Sequence, residues 1–150
     1  MIRTIEQKEL LLKDICARLP YGVKCSFGVG DAMYEICGIN PVCCGASEIQ
    51  ATHIKSGINS NFKLNSCKPY LFPMSSMTEE QKIECFKGTD IELDEYNEIW
   101  SKFPISETDI PMTNLSNWLR VLDWLNKNHF DIRGLIPLGW AFDATGLNIY

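Results

Sequence analysis

The stretch 66–81, SCKPYLFPMSSMTEEQ, divides the chain into two halves of different hydrophobic periodicity. Pro69 and Pro73 bracket Tyr70, Leu71 and Phe72, and a residue ahead of proline is driven out of the helical region, so this piece is extended. Thr78 with Gln81, or Ser76 with Glu79, then has the spacing of a capping box that opens a short helix. Gly88, following Lys87, stops it. A strand-like half must therefore hand over to a helical half within a few residues.

The first half opens with a helix over 4–18, in which Ile5, Leu11, Leu12, Ile15, Cys16 and Leu19 recur at helical spacing. Pro20 and Gly22 end it. Glu6, Lys8, Glu9, Lys13 and Asp14 form its solvated face. From 23 to 70 the pattern changes to short runs rich in Val, Ile, Phe and Tyr between Gly, Asn, Asp and Ser. Strands are expected over 23–27 and 33–37 around a turn at 28–31, with weaker ones at 42–44, 48–54 and 61–64 and a turn at 56–60. Such runs predict a small antiparallel sheet or partly open barrel whose edges the helices cover.

Beyond 78 the reading is helical: a short helix to 87, an acidic one over 91–102 carrying Leu93, Tyr96, Ile99 and Trp100, and the strongest over 113–128. In the last, Leu115, Trp118, Leu119, Leu122 and Leu125 share a face. The expected fold is α+β in a single domain over 1–150: helix 4–18, strand-rich 23–70, and a helical part over 78–150 with about three helices.

Length and composition fit one domain with its own core, with 150 residues of which 45% are hydrophobic and 22% charged. A net charge of −5, with the 14 Lys and Arg scattered, argues against general nucleic-acid binding. Residues 1–19 are amphipathic and charged, unlike a signal peptide. No apolar run reaches membrane-spanning length. The seven cysteines are an odd number, so a complete set of intrachain disulfides is excluded, and a reducing cytoplasm is the expected compartment. No Cys-x-x-Cys occurs, Cys43 and Cys44 are adjacent, and His53 and His129 lie far from cysteine pairs. Small buried hydrophobes are therefore favoured over metal ligands. Neither metal nor cofactor is implied. Gly28-Val29-Gly30 lacks the Lys and Ser/Thr of a phosphate loop.

Three wordings carry a resemblance. They are Leu19-Pro20-Tyr21-Gly22-Val23; Lys68-Pro69-Tyr70-Leu71 with Pro73-Met74-Ser75-Ser76-Met77-Thr78-Glu79-Glu80; and Trp124-Leu125-Asn126 with His129-Phe130-Asp131 and Arg133-Gly134-Leu135-Ile136. Together they resemble a family of small proteins encoded by phages and prophages of gut Bacteroidales, over roughly residues 12–140. Phe72 stands where that pattern has Arg, Asn128 where it has a second His, and Ile132 where it has Tyr. Obligatory chemistry by that arginine or by a His pair is thereby disfavoured. The resemblance implies a phage accessory protein in the cytoplasm of an infected or lysogenic host, and brings no activity with it.

His129, Asp131 and Arg133, with Asp123, are the one constellation of catalytic type, a base beside a carboxylate and an anion-holding guanidinium. The favoured reading is plainer: His129 and Phe130 cap and pack the helix end, and Asp131 and Arg133 pair within the turn. Aromatics in the second half point to binding instead. Trp140, flanked by Gly139, is placed to cover a base, with Tyr70 and with Lys68 or Arg133 to meet an anion. The candidate ligand-binding residues are Lys68, Tyr70, His129, Arg133 and Trp140, and no catalytic residue is assigned. The expected function is non-catalytic sequestration of a nucleotide-type host immune signal. The alternative is a protein–protein module that inhibits a host protein through the acidic 92–98 helix, ahead of an enzyme acting on a phosphorylated nucleotide. Late aromatics, if exposed, favour a homodimer.

Overall fold

The computed structural model describes all residues except 1–2, 29, 43–45, 92–94, 96–97, 99–100, 102–103 and 105–114. Helix α1 (Ile5–Arg18) begins at Thr4, whose hydroxyl accepts the Gln7 N–H while the Gln7 side chain accepts the Thr4 N–H. This capping box satisfies two of the amide groups that a helix start leaves open. Leu11, Asp14, Ile15 and Arg18 form the buried face. Asp14 is therefore not on the solvated side, and Ile5 is 74% exposed rather than packed. The reversal has a physical cause: Arg18 donates twice to Asp14 at 2.8 Å, so both charges enter the interior as a pair.

A six-stranded sheet follows, with order β4-β3-β2-β1-β5-β6. Its strands are β1 (Lys24–Ser26), β2 (Tyr34–Val42), β3 (Ala46–His53), β4 (Asn59–Lys63), β5 (Lys68–Leu71) and β6 (Phe142–Asp143). Strand β2 runs unbroken from the stretch expected at 33–37 to Val42, the first residue of the run expected at 42–44, whose other two residues lie outside the described ones; its register slips between Ile36 and Gly38 against β3. That irregularity breaks the alternation of side chains.

Four pairings are antiparallel, as expected, but β5 and β6 run parallel. The sheet is thus mixed, open and larger than expected, because the chain returns after its last helix to lie along β5. The Ala144 N–H donates to the Leu71 carbonyl at 2.8 Å, continuing that edge. Positive φ angles at Gly134, Gly139 and Gly146 turn this returning segment, which is neither helical nor part of a helical half.

The short crossing segment behaves as its prolines require. A single 3₁₀ turn (Met74–Ser76) leads to Thr78, which caps α2 (Glu79–Phe86) with Gln81. Helix α3 (Leu115–Lys127) buries Trp118, Val121, Leu125 and Asn126. Leu115 and Leu119, expected on the inner face, are 41% and 57% exposed. The helix meets its neighbours on the Trp118–Val121–Leu125 side, rotated from the leucine stripe. The helix expected over 91–102 lies mostly outside the described residues, so two helices, not three, follow β5 among those described.

Two apolar clusters result. One joins Leu11 and Ile15 of α1 to Val23, Ile36, Ile49 and Leu71 of the sheet region. The other gathers Met77, Cys85, Trp118, Val121, Leu125 and Phe130 around α2 and α3. Burial of such side chains contributes about 1.5–3 kcal/mol each before entropy is counted. Among the described residues no helix is long and apolar enough to cross a membrane.

Candidate functional site

The turn after α3 is organised by charge. Asp14 accepts Arg18 at 2.8 Å and Arg133 at 3.0 Å, and Arg18 also donates to the Phe130 carbonyl at 2.7 Å. Asp131 does not pair with Arg133. Its two carboxylate oxygens accept the N–H groups of Leu135 and Ile136, both at 2.8 Å. Burial raises the Asp131 pKa, an effect opposed by those same N–H donors. The local ion pair expected in this turn is replaced by a long-range one, because Asp14 comes to Arg133 from α1.

His129 sits in the left-handed region, at φ 60°, and is 5% exposed. Its ring stacks on Tyr150 with centroids 3.7 Å apart. Burial, with Arg18 and Lys24 nearby, lowers its pKa to about 4, so the imidazole is neutral at physiological pH. A base that weak is poorly matched to proton abstraction near pH 7. Tyr150 is held at its phenol end, where the hydroxyl accepts the Lys24 N–H and donates to the Tyr70 carbonyl. Nothing about its position or composition had marked Tyr150 in the sequence.

Lys68 and Tyr70 alternate with buried Pro69 and Leu71 on β5, so the two share the outward face. The Tyr70 ring stacks on Phe142, its partner on β6, at 5.3 Å, and the Lys68 ammonium lies over the same Phe142 ring at 5.1 Å. The five candidate residues do not converge. Lys68 and Trp140 line one cleft of about 540 Å³. His129 lines a second, of about 600 Å³. Tyr70 and Arg133 line neither, Tyr70 being against Phe142 and Arg133 on Asp14.

The Lys68 cleft contains one residue that the sequence did not signal, Arg3. Arg3 is 5% exposed, and its guanidinium donates to the carbonyls of Leu64, Asn65 and Cys67 at 3.0–3.2 Å. It also lies over the Trp140 indole, 5.9 Å from the ring centroid. Trp140 is mostly core, at 7% exposure, and Gly139 (φ 73°) turns the chain to bring it beneath Arg3. Among the described residues neither Arg3 nor Lys68 has a carboxylate partner. Burial lowers the Arg3 pKa, as expected when a cation is desolvated without an anion beside it. Phe27, Asn65 and Ser66 complete the wall. The arrangement suits an anion attached to a planar group: two cations, a carbonyl-anchored turn and an indole edge.

The chain matches no family model, no curated protein and no solved structure.

Cysteine use is mixed. Cys25, Cys67 and Cys85 are buried, and burial pushes the Cys85 thiol up to about 12, away from thiolate chemistry. Cys16 and Cys37 are exposed instead, while Cys43 and Cys44 lie outside the described residues. Among the described residues no three of His, Cys, Asp and Glu gather as metal ligands.

Proposed function

We propose that this chain is a phage accessory protein, acting in the host cytoplasm, that binds a nucleotide-type anion in the Arg3–Lys68–Trp140 cleft and withholds it from the host. The observation that carries the reading is the pair of cations without carboxylates beside an indole. A buried guanidinium compensated only by carbonyl dipoles retains its net charge, and a phosphate would complete it far more favourably there than in bulk water. Lys68, on the rim, adds attraction that salt would weaken. The likeness of the 68–80 and 124–136 wordings to phage proteins supplies the biological setting.

Binding without turnover fits the rest of the geometry. The neutral His129 stands in the other cleft, and Asp131 is occupied by backbone amides. The test is to incubate purified protein with cyclic dinucleotides and with ADP-ribose, remove free ligand, heat-denature the protein and analyse what is released. Release of one unmodified compound, with a raised melting temperature in its presence, is expected. No thermal shift and no retained compound would overturn the reading, and release of a cleaved product would convert it into an enzyme.

A further inference from the structure

Phe27 and Trp140 are the aromatic residues lining the anion cleft, and the protein itself already packs against both rings. Trp140 is 7% exposed, with the Arg3 guanidinium over its indole. Phe27 is 5% exposed, lies flat on Phe62 with centroids 3.9 Å apart and meets Tyr34 edge-on. With so little of either residue exposed, neither offers a ring face to a base. A planar group tethered to an anion in this cleft must find its stacking surface next to it.

Lys68 connects the cleft to a more open ring. It lines the cleft, and its ammonium lies 5.1 Å from the centroid of Phe142. Phe142 follows Trp140 by two residues, so their Cα atoms are at most about 7 Å apart. The Phe142 side chain is 40% exposed. Tyr70, its β5 partner, stacks on it at 5.3 Å with 29° between the ring planes. Lys68 and Tyr70 both approach from β5, and β6 ends the sheet, so no strand of the sheet borders the ring on its other side. Alternation along β6 directs Asp143 to the opposite face from Phe142, and its carboxylate accepts the Thr145 N–H at 2.8 Å. Stacked rings beside an ammonium, open on one side, have the make-up of a platform for a nucleobase.

We propose that Phe142, backed by Tyr70, is the base platform of the anion site: the ligand is a nucleotide whose phosphate meets Lys68 and Arg3 while its base lies on the Phe142 ring. This assignment rests on the anion site proposed above and adds the ring that selects the base. Attraction of the phosphate is common to any sugar phosphate. Discrimination comes from the stack, which is expected to tighten binding about tenfold. Trp140 then serves to seat Arg3 rather than to cover the ligand.

Adenosine 5′-monophosphate and ribose 5-phosphate form the probe pair, since the second lacks only the base. Each is titrated into ¹³C-labelled wild-type, Phe142→Leu and Lys68→Glu protein, and Kd is taken from the chemical-shift changes. On the wild type, adenosine 5′-monophosphate is expected to move the Phe142 ring signals and to bind about tenfold more tightly than ribose 5-phosphate. Phe142→Leu should abolish that margin and leave ribose 5-phosphate binding unchanged, whereas Lys68→Glu should weaken both. Equal affinity of the two probes for the wild type would overturn the platform and leave the anion site standing, as would Phe142 signals that stay still while adenosine 5′-monophosphate binds. Binding of neither probe would overturn both. The wild-type measurements decide the matter even if a variant fails to fold.

Discussion

Asp14 is the residue on which the interior charge network depends. Fully buried, it faces Arg18 from its own helix and Arg133 from a turn 119 residues later in sequence. Removing one member of a buried pair strands the other, at about 3–5 kcal/mol. Arg18→Met is therefore expected to lower the unfolding free energy from urea titration by that much, whereas Asp14→Leu combined with Arg18→Met should recover a large part of the loss. A helical wheel cannot distinguish a solvated Asp from one neutralised in the core. For that reason Asp14 reads as surface in the sequence although Leu11, Ile15 and Arg18 flank it on the buried face.

His129 gives a second residue-level prediction. Its folded pKa, about 4, lies below the ordinary value of 6.5, so the unfolded chain takes up the proton first as pH falls. The associated stability is complete above pH 6.5 and is lost progressively down to pH 4, about 2 kcal/mol after allowing for partial solvent screening. Asp131, whose pKa is raised, acts with the opposite sign at the acid end of that range. His129→Asn tolerates positive φ and should flatten the loss between pH 6.5 and 5, measured by urea unfolding at each pH.

Among the elements, the capping box of Thr78 with Gln81 was legible in the sequence and forms where the rule places it, while that of Thr4 with Gln7 has the same spacing but was not among the expectations. Thr78→Ala is expected to cost about 1 kcal/mol, visible as faster amide exchange in the first turn of α2. The β1–β2 and β3–β4 hairpins were legible for the same local reason, as alternating runs bounded by turn residues. Strand β6 was not. It is two residues long, lies among glycines, and owes its place to β5 across some seventy residues of chain. The rotation of α3 was hidden similarly, since Leu115 and Leu119 carry the same periodic signal as Val121 and only the packing partner decides between them.

At the scale of the molecule, the mixed sheet places the segment before α1, the turn before β5 and the Trp140 turn around one cleft. Lys68 and Trp140 were legible as candidates from residue type and flanking glycine. Arg3 was not, because its importance arises from the carbonyls of Leu64, Asn65 and Cys67, which only the fold brings to it. Lys68 with Trp140 and His129 fall in two separate clefts, and the proposed anion-binding role rests on the one holding the unmatched cations. Isothermal titration calorimetry with cyclic dinucleotides and ADP-ribose, on wild-type and Lys68→Glu protein at two salt concentrations, tests that role most directly. Saturable binding of one compound is expected, weakened by salt and at least tenfold by the substitution. No binding heat with any of them, or equal affinity in Lys68→Glu, would contradict it.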